Sequence, residues 1–296
     1  MTSNRPERLW VAGVRALLWR SSKPTKAAVL FIPGNPGMCE YYEAYLSHLY
    51  QYLNGECTIL CKGSAGHDET HRAPPPTGSV SIIGMPWSYY GLRDQIEHQA
   101  RAYHMLRDEV GMDVPVLLGG HSMGAYVAMR LFARFSDHVR GLHLLFPTIS
   151  HIGRAPQARL VGLLLPPPML LCVYWMGLFL AWLPYTWTYT LVAWLTWQNE
   201  TSARITTDFV RRPYASFTAL RTFADEQDMI TQLPADTLSI LKAKRVPVHC
   251  YWAKGNSVRI DILTLGRMGP IMASSTCRNT YGAYAMVCTR DATGCG

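Results

Sequence analysis

The stretch Val114-Pro-Val-Leu-Leu-Gly-Gly-His-Ser-Met-Gly-Ala-Tyr-Val-Ala-Met-Arg130 leaves few folds open to this chain. Val114 to Leu118 is a short apolar run, too short for a helix and suited to a buried parallel strand. Met123, Ala128, Met129, Leu131 and Phe132 then supply good helix formers with one apolar face. Between strand and helix lies Gly120-His121-Ser122-Met123-Gly124, a G-x-S-x-G pattern. A nucleophilic serine on a sharp strand-to-helix turn needs small residues on either side, because neighbouring backbone approaches closely. That makes Ser122 the candidate nucleophile and the Met123 N–H a candidate oxyanion donor. The plainer alternative is a tight glycine turn with a structural serine.

An early strand adds a second constraint. Ala27-Ala-Val-Leu-Phe-Ile32 is apolar throughout and fits the centre of a parallel sheet. It runs into Pro33-Gly34-Asn35-Pro36-Gly37, where α/β-hydrolases place a second oxyanion donor. Pro33 and Pro36 have no N–H, and Gly34 permits an unusual turn, so the Asn35 N–H is the candidate. A simple turn is the alternative. The remaining elements follow the same period logic. Leu9 to Trp19, with Gly13 inside it, reads as a small hairpin, Tyr41 to Leu53 as a helix, and Thr58 to Cys61 as a strand. Gly63 to Pro76 is a loop, and Gly91 to Val110 is a helix with an expected Arg93–Glu97 ion pair. Val139 to Phe146 and Val246 to Trp252 are further strands. His67 and Asp68 are adjacent on a loop and rarely could face each other, and His98 and His104 read as solvated or packed helix residues.

From Leu160 to Asn199 there is no charged residue. Pro184 divides this insertion into two apolar halves, each about 20 Å long as a helix against roughly 30 Å of bilayer hydrocarbon. Neither half spans, so the expectation is a hairpin that enters and leaves a lipid surface on one side, anchored by Trp175, Trp182, Trp187, Trp194 and Trp197. A greasy lid on the core and a kinked single span are the alternatives. Only 16% of the 296 residues are charged, which fits some surface facing lipid. The net charge of +8 suits an anionic headgroup surface, and Arg211-Arg212 and Lys242 to Arg245 are candidate headgroup contacts, although a solvated helix face explains the second cluster equally well. No basic stripe with interleaved aromatics is present, so no nucleic-acid partner is expected. The eight cysteines form no C-x-x-C and read as free thiols in a reducing compartment. The first residues lack a signal-peptide apolar region, which points to cytosolic synthesis. No cofactor and no metal is expected.

From about Ala27 to Gly255 the sequence resembles the lipid droplet-associated hydrolases. The marks are Ile32 to Gly37, Gly66-His67, Tyr90-Gly91-Leu92, Gln95-Ile96-Glu97-His98, Gly120-His121-Ser122 with Gly124, and Leu144-Leu145-Phe146-Pro147-Thr148. The resemblance implies an α/β-hydrolase fold: a central, mostly parallel sheet, helices on both faces, and a hydrophobic lid or hairpin insertion. It implies a cholesteryl-ester or other neutral-lipid ester substrate, and a location on lipid droplets and the cytosolic face of the endoplasmic reticulum, with residues 160–199 as the contact. Ser122 matches the family nucleophile. The family acid falls where Asn256 stands, Asp261 matches no motif, and no histidine follows His249. An amide cannot stabilise an imidazolium as a carboxylate does, so turnover is expected to be impaired. The expected organisation is 1–149 and 231–256 as core, 150–230 as insertion, and 257–296 as a divergent, poorly ordered tail. A catalytically inactive lipid-surface binding protein on the same scaffold is the alternative function, and an acyltransferase using Ser122 is a third.

Overall fold

The computed structural model describes residues 5–68, 73–82, 84–150, 152–154 and 156–251. The candidate positions Asn256 and Asp261, and the tail from Ser257, lie outside them.

The apolar runs of the first sixty residues become strands. β1 (Glu7–Val11) and β2 (Val14–Trp19) form a hairpin. Its two-residue turn has positive φ at both Ala12 (48°) and Gly13 (77°), the twist that suits tight hairpins. β3 (Ala27–Ile32) follows, then a 3-10 turn (Cys39–Tyr42), α1 (Glu43–Tyr52) and β4 (Cys57–Lys62). β5 (Gly78–Ile82) and β6 (Met85–Tyr89) make a separate hairpin. α2 (Leu92–Val110), β7 (Val116–His121), α3 (Met123–Arg134) and β8 (Val139–Leu145) complete the first half. The second half holds α4 (Pro156–Gly162), α5 (Pro167–Trp182), α6 (Tyr185–Thr196), α7 (Glu200–Val210), α8 (Pro213–Met229), α9 (Ala235–Lys244) and β9 (Val248–Tyr251).

The main sheet has the order β1-β2-β4-β3-β7-β8-β9. Only the β1–β2 and β2–β4 pairings are antiparallel; from β4 to β9 all neighbours run parallel. Side chains alternate across it, so β3 sends Leu30 and Ile32 to one face and Val29 and Phe31 to the other. Leu92, Tyr103, Leu106, Ala125, Met129 and Phe132 of α2 and α3 cover the first face. Tyr42, Leu46 and Tyr50 of the α1 region cover the second. The chain leaves β3 for β4 on one side and returns to β7 on the other. The strand order therefore reverses between β3 and β7, the place where open parallel sheets bind ligands at their carboxyl ends. Ile32 pairs with Gly120, so the two strands end level with each other.

Three sequence expectations need correcting. Glu97 pairs with Arg134 of α3 at 2.9 Å, not with Arg93, because α2 and α3 pack side by side and the guanidinium reaches across. Arg211 and Arg212 do not face outward toward headgroups. Arg212 pairs with the buried Asp68. Arg211 donates to the carbonyls of Leu180 (2.5 Å), Ala181 (2.9 Å) and Leu183 (2.8 Å) and to Thr188 Oγ1 (3.0 Å). It thereby satisfies the carbonyl end of α5, which has no helical partner of its own. The β5–β6 hairpin is an element the sequence did not announce.

The insertion is two helices bent at Pro184, which precedes α6 as its cap. α5 buries only Leu170 and Gly177, and α6 only Thr188 and Val192. Trp175, Trp182, Trp187, Trp194 and Trp197 are exposed, Trp182 at 81% and Trp197 at 85%. Among the described residues no helix is long and apolar enough to cross a membrane.

Lys62 ends β4 inside the core, wholly buried, with Nζ donating to the Gly63 carbonyl at 3.3 Å. Burial, with a smaller push from Arg101, brings its ammonium down to about 7. A base depressed in the folded state gives stability that is present above its unfolded value and is lost as pH falls through about 7. Lys62→Met, close in volume, is expected to raise stability by about 2 kcal/mol at pH 6 and by less at pH 9. Thermal denaturation at the two pH values checks this.

Candidate active site

Ser122 sits on the bend between β7 and α3, with φ 51° and ψ −120°. The left-handed φ is costly for any residue with a Cβ and turns the hydroxyl out of the sheet. The two flanking glycines are required by contact. A Cβ on Gly120 would meet the Gly124 carbonyl oxygen at 2.3 Å, and one on Gly124 would meet the Ile32 carbonyl oxygen at 2.2 Å. The bend is pinned by Ser122 N–H donating to the Leu145 carbonyl (3.0 Å) and by Thr148 N–H donating to the Ser122 carbonyl (3.3 Å). Ser122 is half-buried, and its Oγ lies 3.1 Å from Thr148 Oγ1.

The 33–37 loop lies against this bend. A Cβ on Gly34 would stand 2.8 Å from His121 Nδ1 and 3.2 Å from Ser122 Cβ, so only glycine lets the loop come so near. The backbone donors of the loop can be accounted for one by one. Gly34 N–H donates to Tyr42 Oη at 3.0 Å, and Gly37 N–H to His67 Nδ1 at 2.9 Å. Pro33 and Pro36 have no donor. Asn35 N–H is left without a partner among the described residues. Across the bend, Met123 N–H opens α3, where the first N–H groups have no helical acceptor. The sequence candidates Ser122, Asn35 and Met123 thus come to one edge of the sheet, at the strand-order reversal.

His67, His98, His121, His143 and His249 are among the described histidines. Tyr42 Oη accepts from Gly34 N–H at 3.0 Å and is hydrogen-bonded to His121 Nδ1 at 2.9 Å. Burial lowers His121 to about 4, so its ring is neutral at pH 7, with Nδ1 held against Tyr42. His67 is wholly buried and lowered to about 3 by burial. Its Nδ1 accepts from Gly37, and its Nε2–H donates to Thr222 Oγ1 (3.3 Å), whose proton goes to the Tyr90 carbonyl (2.9 Å). His98 is also buried and lowered to about 3, and His143 bonds Tyr45 Oη at 3.2 Å. His249 lies exposed on β9. Among the described residues the partner of Ser122 Oγ is Thr148 and not a histidine.

Four site residues escaped sequence reasoning: Tyr42, Thr148, Thr222 and Glu226. Thr148 closes one of the marks quoted above and stands just past the carboxyl end of β8, a position that could have flagged it. Glu226 is fully buried on α8, where Oε1 accepts from Asn35 Nδ2 at 2.8 Å. Burial raises its carboxyl to about 8, against the lowering effect of the Asn35 bond. Its neighbours Asp225 and Asp228 gave no way to single it out by sequence.

The sequence matches the family described as lipid-droplet associated hydrolase over residues 25–257. It is 33% identical to the lipid droplet-associated hydrolase of Gallus gallus over 141 residues, 46% of this chain and 41% of that protein. It is 32% identical to that of Homo sapiens over 149 residues (49% and 45%) and 25% identical to that of Dictyostelium discoideum over 151 (48% and 45%). These matches span less than half the length of the curated relatives. Among solved structures, the haloalkane dehalogenase DatA from Agrobacterium tumefaciens superposes with a TM-score of 0.54 at 17% identity, over 88% of this chain and 83% of that one. The hydrolase BphD from a Rhodococcus strain gives 0.53 at 14%, over 83% and 81%. Such likeness speaks for the fold alone. With its mostly parallel sheet and the family match over most of its length, the chain has an α/β-hydrolase fold and belongs to the lipid droplet-associated hydrolase family.

Proposed function

We propose that this chain is a serine hydrolase of neutral-lipid esters, such as cholesteryl esters, working at the surface of lipid droplets and on the cytosolic face of the endoplasmic reticulum. The observation that carries the reading is the Gly34 approach, which sets the unpartnered Asn35 N–H beside the strained Ser122. Ser122 Oγ would attack the ester carbonyl carbon while its proton passes to a base. The carbonyl oxygen, now an oxyanion, would be held by Asn35 and Met123 N–H. Collapse expels the alcohol, which takes up the proton, and leaves an acyl-serine. Water then releases the acid and restores the hydroxyl. The exposed tryptophans of α5 and α6 would rest in the droplet monolayer, where their amphipathic rings suit the interface.

Asn256 at the expected acid position supports impaired turnover. A second reading is a lipid-surface binding protein without catalysis, favoured by Thr148 as the partner of Ser122 Oγ. Hydrolysis of an emulsified cholesteryl ester and of a short-chain ester separates the two. We expect slow turnover that falls at least tenfold in Ser122→Ala. Equal rates for the two proteins would leave only the binding reading.

A further inference from the structure

The loop that carries Asn35 is held by a residue with no part in the acyl-transfer steps. Asn35 Nδ2 has two protons, and both are used: one goes to the Ala219 carbonyl at 2.9 Å and one to Glu226 Oε1 at 2.8 Å. Both acceptors lie on α8, more than 180 residues along the chain. Glu226 is 1% exposed, and a carboxyl buried so deeply needs a hydrogen-bond partner to offset its lost hydration. Its side chain accepts from the amide of Asn35, which lies between Pro33 and Pro36. With both amide protons committed, the side chain cannot rotate, and the backbone N–H on the same residue is fixed in direction. His67 and Thr222 hold the far end of the loop to the same helix through Gly37. Gln95 in turn holds the 64–67 loop, its amide bonding Ala65 N–H and Ala65 carbonyl at 2.9 Å each. Gly66-His67 and Gln95 are thus accounted for by this bracket.

We propose that Glu226 is a positioning residue for the oxyanion hole, acting on the Ser122 reaction by fixing the direction of the Asn35 N–H. This rests on the proposed acyl transfer, and the first of its two readouts is independent of that reading. Glu226→Ala removes one acceptor. Glu226→Gln keeps an oxygen that can accept from Asn35, and Asn35→Ala keeps the backbone N–H while deleting the side-chain clamp. All three are made in the full chain and compared by two readouts.

The first is amide exchange at Gly34 and Gly37. It should speed up at least tenfold in Glu226→Ala and Asn35→Ala and stay within threefold of the parent in Glu226→Gln, with exchange across 116–134 unchanged. The second is short-chain ester hydrolysis. A drop in kcat of ten- to a hundredfold with KM within twofold is expected for both alanine variants, with Glu226→Gln rescuing and the double variant no worse than either single one. Unchanged exchange in both alanine variants would overturn the proposal. So would a loss equally large in Glu226→Gln, which would mean that the fold and not the clamp had been damaged. If the parent shows no ester turnover, the hydrolase reading falls and the exchange result alone decides the role of Glu226.

Discussion

Replacing Trp182, Trp187 and Trp194 together by glutamate is expected to lower partition onto a triolein droplet coated with phosphatidylcholine by at least a hundredfold. All three are exposed on α5 and α6 among the described residues. A fully buried tryptophan removes 150–250 Å² from water, so even partial insertion gives each ring about 1–2 kcal/mol at about 25 cal/mol per Å². Three rings together reach about 3–6 kcal/mol, and a hundredfold corresponds to about 2.7 kcal/mol. The charges that replace them would also have to be dragged into the interface. Because none of the three supports the core, far-ultraviolet circular dichroism should be unchanged. Flotation of the parent and the variant on the same emulsion makes the comparison. Equal flotation would remove the α5–α6 hairpin as the lipid contact. The matching Trp→Leu triple variant should retain much of the binding, since apolar area and not the indole is the main term.

Gly124→Ala is expected to cost more than any other single methyl in the site. The added carbon would fall 2.2 Å from the Ile32 carbonyl oxygen and 2.4 Å from that of Pro33, both main-chain atoms at the end of a central strand. Main chain cannot swing aside as a side chain can, so β3 and α3 must separate. We expect a loss of about 3 kcal/mol or more, at the upper end of overpacking effects, together with loss of any Ser122-dependent turnover. Gly162→Ala is the control, since nothing lies within 4 Å of a Cβ there. Urea denaturation of the two variants, followed by tryptophan fluorescence, measures the difference. Gly124→Ala unfolding at the parent midpoint would mean that the close approach of β3 to α3 is not needed.

The sequence made some features readable and hid others, for reasons that can be named residue by residue. β3, β4 and β7 were legible because parallel central strands are covered on both faces and so read as unbroken apolar runs. The bend at Ser122 was legible because its glycines answer to backbone contacts only a few residues away. The break at Pro184 was legible because proline acts locally. The β5–β6 hairpin was not. Its stability comes from Trp87 and Tyr89 meeting Tyr174 of α5 and Phe217 of α8, residues distant in sequence. The same holds for Arg211, which looked like a headgroup contact and instead closes the end of α5. Its partners depend on how α7 returns against the hairpin, and charge alone does not record that. Tyr42 and Glu226 were silent because polar residues that support a site obey no period and no fixed spacing.

Serine at position 122 is a poor choice for a residue whose task is to turn a corner. Glycine enters φ 51°, ψ −120° with ease, whereas a side chain there carries about 1–3 kcal/mol of strain. Mutation that favoured folding alone would drift toward glycine, and the molecule would be hardier for it. The strained hydroxymethyl group has a task in the proposed acyl transfer and none in turning the corner.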